Sequence, residues 1–174
     1  MIIVITGNGK GKTTGAIGTA IRGSGWGFKV AYIAFDKGGS HYGEQPIFDF
    51  LQDKIDVFRF GLPRFDEHQK TFRFENTVTD KEEAIKAIQK VLELYADHYF
   101  SIVCDEVINC MNLGLLEESD VKKLIDECPQ ETHLILTGRN APDWLIEKAD
   151  LVSEIKEVKH YFRKGEDAVK GLDY

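Results

Sequence analysis

Short apolar runs alternate with amphipathic stretches along this chain, the pattern of a parallel sheet covered by helices. Ile2–Thr6 is apolar through Ile5, which predicts a first strand buried on both faces. Residues 12–24 predict a helix closed by Gly23, Gly25 and Gly27. Residues 29–35 and 56–60 predict the second and third strands, with a short helix at 46–51 between them. From 80 to about 97, Ala84, Ile85, Ile88, Val91, Leu92 and Tyr95 recur at helical spacing with charges behind them. Residues 100–104 predict a buried strand and 117–127 a helix. His133–Thr137 and residues 151–158 predict strands flanking a helix that Pro142 opens. No repeat, linker or change of composition interrupts the pattern, so one domain over 1–174 is expected. Its fold class is α/β, a doubly wound, mostly parallel sheet. Residues 160–174 fit no regular pattern and predict either a frayed tail or a lid.

Composition narrows the class. At 174 residues and 43% apolar side chains the chain is one ordinary domain, too apolar to be disordered. No run approaches the roughly 18–20 apolar residues of a membrane span. Met1 leads into Ile2–Thr6 without a basic region or small-residue cleavage site, so a soluble, cytoplasmic protein is expected. The net charge of -7 disfavours bulk nucleic-acid binding, because neutralising phosphates needs a positive face. Cys104, Cys110 and Cys128 form no CxxC pair and read as reduced thiols. The histidines show no HExxH spacing and read as solvated or locally bonded.

In a doubly wound sheet, ligands gather at the carboxyl ends of the strands. One such end carries Thr6-Gly7-Asn8-Gly9-Lys10-Gly11-Lys12-Thr13-Thr14, between a buried strand and a helix. Glycines let backbone N–H groups converge on an anion, and the helix start adds partial positive charge. Lys12 would reach phosphates and the Thr13 hydroxyl would meet Mg²⁺. The standard GxxxxGK[ST] loop needs glycine where Thr6 stands, so this loop is one residue short. It is not a dinucleotide fingerprint either, since the third glycine of GxGxxG falls on Lys12.

A second strand end delivers Asp105 and Glu106, the pattern of a carboxylate pair that holds Mg²⁺ and assists the chemistry. Which of the two touches the metal is open, with Glu106 preferred. A third end carries Thr137-Gly138-Arg139-Asn140, where Arg139 would neutralise a phosphate or another acid.

Together these residues resemble the P-loop ATP:corrinoid adenosyltransferases of cobalamin metabolism. The resemblance runs from GNGKGKTT at 7–14 through Lys37-Gly38, VCDE at 103–106 and LTGRNAPDWLIEKADLVSEIKEVKH at 136–160 to KGLDY at 170–174. It implies transfer of the 5′-deoxyadenosyl group of ATP to a corrinoid cobalt(I), with triphosphate released, of the cob(I)yrinic acid a,c-diamide type. ATP would lie reversed relative to P-loop hydrolases, in keeping with the short loop. The resemblance places Gly7, Asn8, Gly9, Lys10, Gly11, Lys12, Thr13 and Thr14 on the triphosphate. It places Thr13 and Glu106, or Asp105, on Mg²⁺ or Mn²⁺, and makes Lys12, Thr13 and Glu106 the catalytic set. It also implies a homodimer and a flavoprotein reductase as partner.

Family members carry a Phe-x-Trp segment after the third strand. Here the segment reads Phe60-Gly61-Leu62-Pro63-Arg64-Phe65-Asp66-Glu67-His68, with no tryptophan. Phe65 is the expected corrinoid contact, with Phe60 and Leu62 as alternatives. Two other readings stand beside this one: another P-loop ATPase or small-molecule kinase, and a noncatalytic corrinoid or nucleotide carrier.

Overall fold

The structure, a computed structural model, describes residues 1–40, 42–66 and 71–174. In chain order it contains β1 (Ile2–Thr6), α1 (Lys12–Gly25), β2 (Val30–Ala34), α2 (Gln45–Phe50) and β3 (Ile55–Arg59). A two-strand ribbon, β4 (Phe65–Asp66) and β5 (Thr71–Phe72), precedes α3 (Val78–Leu94). Then come β6 (Ser101–Asp105), α4 (Val107–Asn112), α5 (Glu118–Asp126), β7 (His133–Thr137), α6 (Asp143–Lys148) and β8 (Leu151–Glu154). Short 3₁₀ turns follow α3 at Tyr95–Asp97 and β8 at Tyr161–Lys164.

Six strands form one parallel sheet in the order β3-β2-β6-β7-β1-β8. From β1 the chain crosses over β7 and β6 to reach β2, so α1 spans the point where strand order reverses. That crossover opens a crevice at the carboxyl edge between β1 and β2. Alternation in β2 divides the core in two. Val30, Tyr32 and Ala34 pack with Ala16 and Ala20 of α1 and Phe48 of α2. Ala31 and Ile33 pack on the other face with Ala84, Ala87, Ile88 and Val91 of α3. Small residues on α1 let it lie close to the sheet, which brings its first turn to the strand ends.

The fold class is as the pattern predicts, and several bounds move. α3 starts at Val78 rather than 80, because Thr77 and Asp80 close a reciprocal capping box. It ends at Leu94, with the last predicted turn tightened to 3₁₀. Ile85, counted in the apolar stripe, is exposed. The ribbon β4–β5 and helix α4 lie where no element was expected. β8 stops at Glu154 instead of 158, and all of its residues are exposed because it is a sheet edge. Of the two expectations for residues 160–174, frayed tail or lid, the structure shows the segment folded over the carboxyl edge.

Candidate functional site

The loop after β1 is shaped by its packing partner. Gly7 has φ 100, and a Cβ there would stand 2.4 Å from the Ile155 carbonyl oxygen. A Cβ on Gly9 would stand 2.8 Å from the same oxygen, to which the Gly9 N–H donates at 2.8 Å. The chain leaving β8 therefore runs directly against the loop, and the Asn8 side chain accepts the Glu157 N–H at 3.1 Å. No side chain caps α1 and no acid stands in its first turn. Its amide donors and positive end are thus left to serve an anion. Lys12 is buried, and its Nζ donates to the Gly9 carbonyl at 2.8 Å. Burial lowers its ammonium below the usual lysine range, and Arg139 lowers it further. Thr14 Oγ1 donates to the Gly11 carbonyl at 3.1 Å, and Lys10 Nζ pairs with Asp173 at 2.8 Å.

Across the crevice Asp105 is fully buried and collects side-chain donors from β2 and the loop after it, from the end of β7 and from α1. Its Oδ2 accepts from Lys37 Nζ at 2.6 Å, Tyr32 Oη at 2.7 Å and Thr13 Oγ1 at 3.3 Å. Its Oδ1 accepts from Thr137 Oγ1 at 2.7 Å. Burial, then the Asp105 charge, pushes the Tyr32 hydroxyl well above the usual tyrosine range. Glu106 adopts a left-handed backbone, φ 66, which turns it away from the strand and out to the cleft. Its N–H donates to Thr137 Oγ1 at 2.9 Å, and Asn109 Nδ2 donates to its carboxylate. Burial, then Asp105, raises the Glu106 carboxyl above its ordinary range.

Residues 8–14 of the loop, Glu106 and Arg139 line one cleft of ≈1310 Å³. The same cleft is also lined by apolar and aromatic residues, among them Ile17, Ile47, Tyr42, Phe162, Leu172 and Tyr174. The loop after β2 is fixed there by Arg64, whose Nε donates to Asp36 at 2.8 and 3.0 Å and whose Nη2 donates to Asn76 at 3.0 Å. Asp36 is therefore committed to arginine. The C-terminal segment also lines the cleft. Asp173 accepts from Lys10, from the Tyr161 hydroxyl and from the Val169 N–H.

The structure thus brings together Gly7, Asn8, Gly9, Lys10, Gly11, Lys12, Thr13, Thr14, Asp105, Glu106 and Arg139, all at one edge of the sheet. Within this group Asp105 is inside and Glu106 faces the cleft. Phe60 packs against the core. His68 and the side chain of Phe65 lie outside the described residues. Sequence reasoning missed Lys37, Tyr32 and Thr137 as partners of Asp105, and Asp173 as partner of Lys10. Only Lys37 carried a signal, a cation directly past a buried strand.

A parallel sheet with a glycine-rich anion nest at one strand end and paired carboxylates at another defines a P-loop nucleotide-binding protein. A KaiC-like protein from the archaeon Pyrococcus horikoshii shares the fold, with a TM-score of 0.55 at 16% identity, covering 89% of this chain and 72% of that one. The sequence matches the family model "ATP:corrinoid adenosyltransferase BtuR/CobO/CobP" over residues 1–174. A corrinoid adenosyltransferase of Sinorhizobium is 34% identical over 177 residues, covering all of this chain and 80% of its own. That of Escherichia coli K12 is 34% identical over 175 residues, covering all of this chain and 85% of its own. The chain belongs to the ATP:corrinoid adenosyltransferase family.

Proposed function

We propose that this cleft binds ATP and a reduced corrinoid side by side and joins them. The cobalt(I) electron pair forms a bond to C5′ of the ribose, the C5′–O bond breaks, and triphosphate leaves with that bond's electrons. The observation that carries the reading is the mixed lining of one cleft. It holds the glycine-rich loop with Lys10, Lys12 and Arg139, suited to a triphosphate. It also holds aromatic and aliphatic side chains suited to a large macrocycle. The corrinoid cobalt is itself the nucleophile, so the protein's work is positioning and stabilising the leaving group.

In this reading residues 7–14 and Arg139 hold the triphosphate, and Phe65 contributes to the corrinoid side. The residues also suit a divalent ion. The Thr13 hydroxyl and the Asp105 and Glu106 carboxylates are hard oxygen donors, and Lys37 Nζ already stands as a cation between Thr13 Oγ1 and Asp105. Among the described residues no three His, Cys, Asp or Glu side chains are grouped to cage a metal. Mg²⁺ or Mn²⁺ would therefore arrive with the phosphates and add positive charge at the leaving group. A cob(I)yrinic acid a,c-diamide acceptor, a flavoprotein reductase, a homodimer and a cytoplasmic setting belong to the same proposal. No helix among the described residues is long and apolar enough to cross a membrane.

The test is an anaerobic reaction of chemically reduced cobalamin, Mg²⁺ and ATP, followed by absorbance of the cobalt–carbon product with phosphates separated from the same tubes. Adenosylcobalamin with one triphosphate each is expected. ADP or orthophosphate without alkylation would mark an ATPase or kinase, and binding without turnover a carrier.

A further inference from the structure

We propose that Asn109 is a positioning residue for this site: its one carboxamide ties the Glu106 carboxylate to the loop that carries Arg139, and so keeps these two opposite charges apart and open to ligand. The inference rests on the reading of the cleft as a metal–nucleotide site, in which both charges serve the nucleotide. Asn109 lies on α4 and lines the same cleft as Glu106 and Arg139. Its Oδ1 accepts the Arg139 N–H at 2.7 Å. A backbone N–H can only donate, so this bond fixes which way the amide faces. Nδ2 is thereby turned to the Glu106 carboxylate, where it donates to Oε2 alone.

The contact is built by the chain around it. Gly138 has φ 150, and a Cβ there would stand 2.6 Å from Ile108 Cβ and 2.8 Å from the Asn109 backbone nitrogen. A glycine lets the loop after β7 come this close to α4. Asn112, on the same helix, donates from Nδ2 to the Arg139 carbonyl at 2.7 Å. Side chains of α4 thus hold both backbone groups of Arg139, and its guanidinium is the part left to reach the cleft. Electrostatics shows what the clasp prevents. Glu106 shares a partly enclosed cleft with Lys12 and Arg139, where opposite charges attract more strongly than in bulk water. A pair formed between them would have to be broken before a ligand could use either partner. Among the described residues neither Glu106 nor Arg139 stands in an ion pair. Asn109 gives the carboxylate a neutral partner in place of a cationic one.

Titration calorimetry of Mg²⁺–ATP through a double-mutant cycle tests this without turnover. Asn109→Ala in the wild-type chain is expected to weaken Mg²⁺–ATP about tenfold, because Glu106 then closes on Arg139 or Lys12. In the Glu106→Gln chain no carboxylate remains to close, and the same change is expected to cost less than about twofold. A residue that only supports the loop would cost the same in both chains, so an equal loss in the Glu106→Gln chain overturns the proposal. Unchanged affinity of Asn109→Ala alone overturns it as well. Should Asn109→Ala lose its fold by circular dichroism, Asn109→Asp takes its place in the cycle, since it keeps the acceptor for the Arg139 N–H. Alone it sets like charges together and is expected to weaken Mg²⁺–ATP about tenfold. With Glu106→Gln the donor and acceptor are exchanged, and affinity is expected within about twofold of Glu106→Gln alone; an equal loss in both chains again overturns the proposal. Failure of the wild type to bind Mg²⁺–ATP at all is a different result, which overturns the metal–nucleotide reading on which the inference rests.

Discussion

Lys12 and Gly9 show how differently two neighbours in one motif are constrained. The Lys12 ammonium spends its hydrogen bond on the Gly9 carbonyl of its own loop, so removing it breaks one local contact and no core packing. Lys12→Ala is expected to leave urea stability within about 1 kcal/mol, because the lost bond is a single one. The same variant is expected to weaken ATP binding at least about tenfold by titration calorimetry, since charge-assisted phosphate contacts are the strong ones. Unchanged affinity would remove the phosphate-loop assignment. Gly9→Ala has the opposite profile. Its methyl carbon meets the Ile155 and Lys156 backbone at 2.8 Å, and backbone cannot swing aside as a side chain does. Overpacking of this kind costs about 1–3 kcal/mol, expected as a lower urea midpoint without ligand. The glycine pattern was legible in the sequence as an anion nest. That Gly7 and Gly9 also admit the segment following β8 was not, because the partner lies about 150 residues away in the chain.

Among the elements, α3 depends most on one side chain. Asp80 is buried at its first turn, where its carboxylate accepts from the Thr77 N–H and hydroxyl, both at 2.7 Å, and from both arms of Arg73 at 2.7 and 2.8 Å. The Arg73 bonds first, with those from Thr77, hold its carboxyl well below the usual carboxylate range. The folded-state value is depressed, so the stability it supplies is complete above the unfolded value, near pH 4, and is lost as pH falls below it. Asp80→Asn is expected to cost about 2 kcal/mol at pH 7. Urea unfolding at pH 7 and pH 3 checks this, with the gap to wild type narrowing at the lower pH. Long periodic elements such as α1, α3 and the six strands could be read because burial imposes their periods. Helix α4 was hidden because Val107–Asn112 is too short to show a period and starts from a left-handed Glu106 instead of a capping side chain. The ribbon β4–β5 has two residues per strand and therefore no alternation to detect.

At the scale of the whole molecule, the C-terminal segment meets the loop after β1. The C-terminal residues 160–174 carry charges and aromatics without periodicity, which made tail and lid equal from sequence. Only the folded chain places Asp173 on Lys10, with the Tyr161 hydroxyl and Val169 N–H on its other carboxylate oxygen. These donors, Lys10 first, hold the Asp173 carboxyl well below its ordinary range. Under the proposed function Lys10 belongs to the triphosphate loop, so Asp173 and the phosphates would compete for one ammonium. Phe162, Leu172 and Tyr174 on the same segment also line the cleft. In that proposal, occupation of the phosphate loop would be coupled to how tightly the C-terminal segment is held. Asp173→Asn weakens the Lys10 and Tyr161 ties and removes a negative charge beside the triphosphate. Lys10 is well exposed, so solvent screening keeps the effect modest, and ATP affinity is expected to rise about threefold. Titration calorimetry measures that gain, which should shrink as salt is added. Limited proteolysis of the nucleotide-free variant should cut within 160–174 faster than in wild type. A fall in ATP affinity would instead make Asp173 part of the nucleotide site, with the closed segment helping to hold the triphosphate in place.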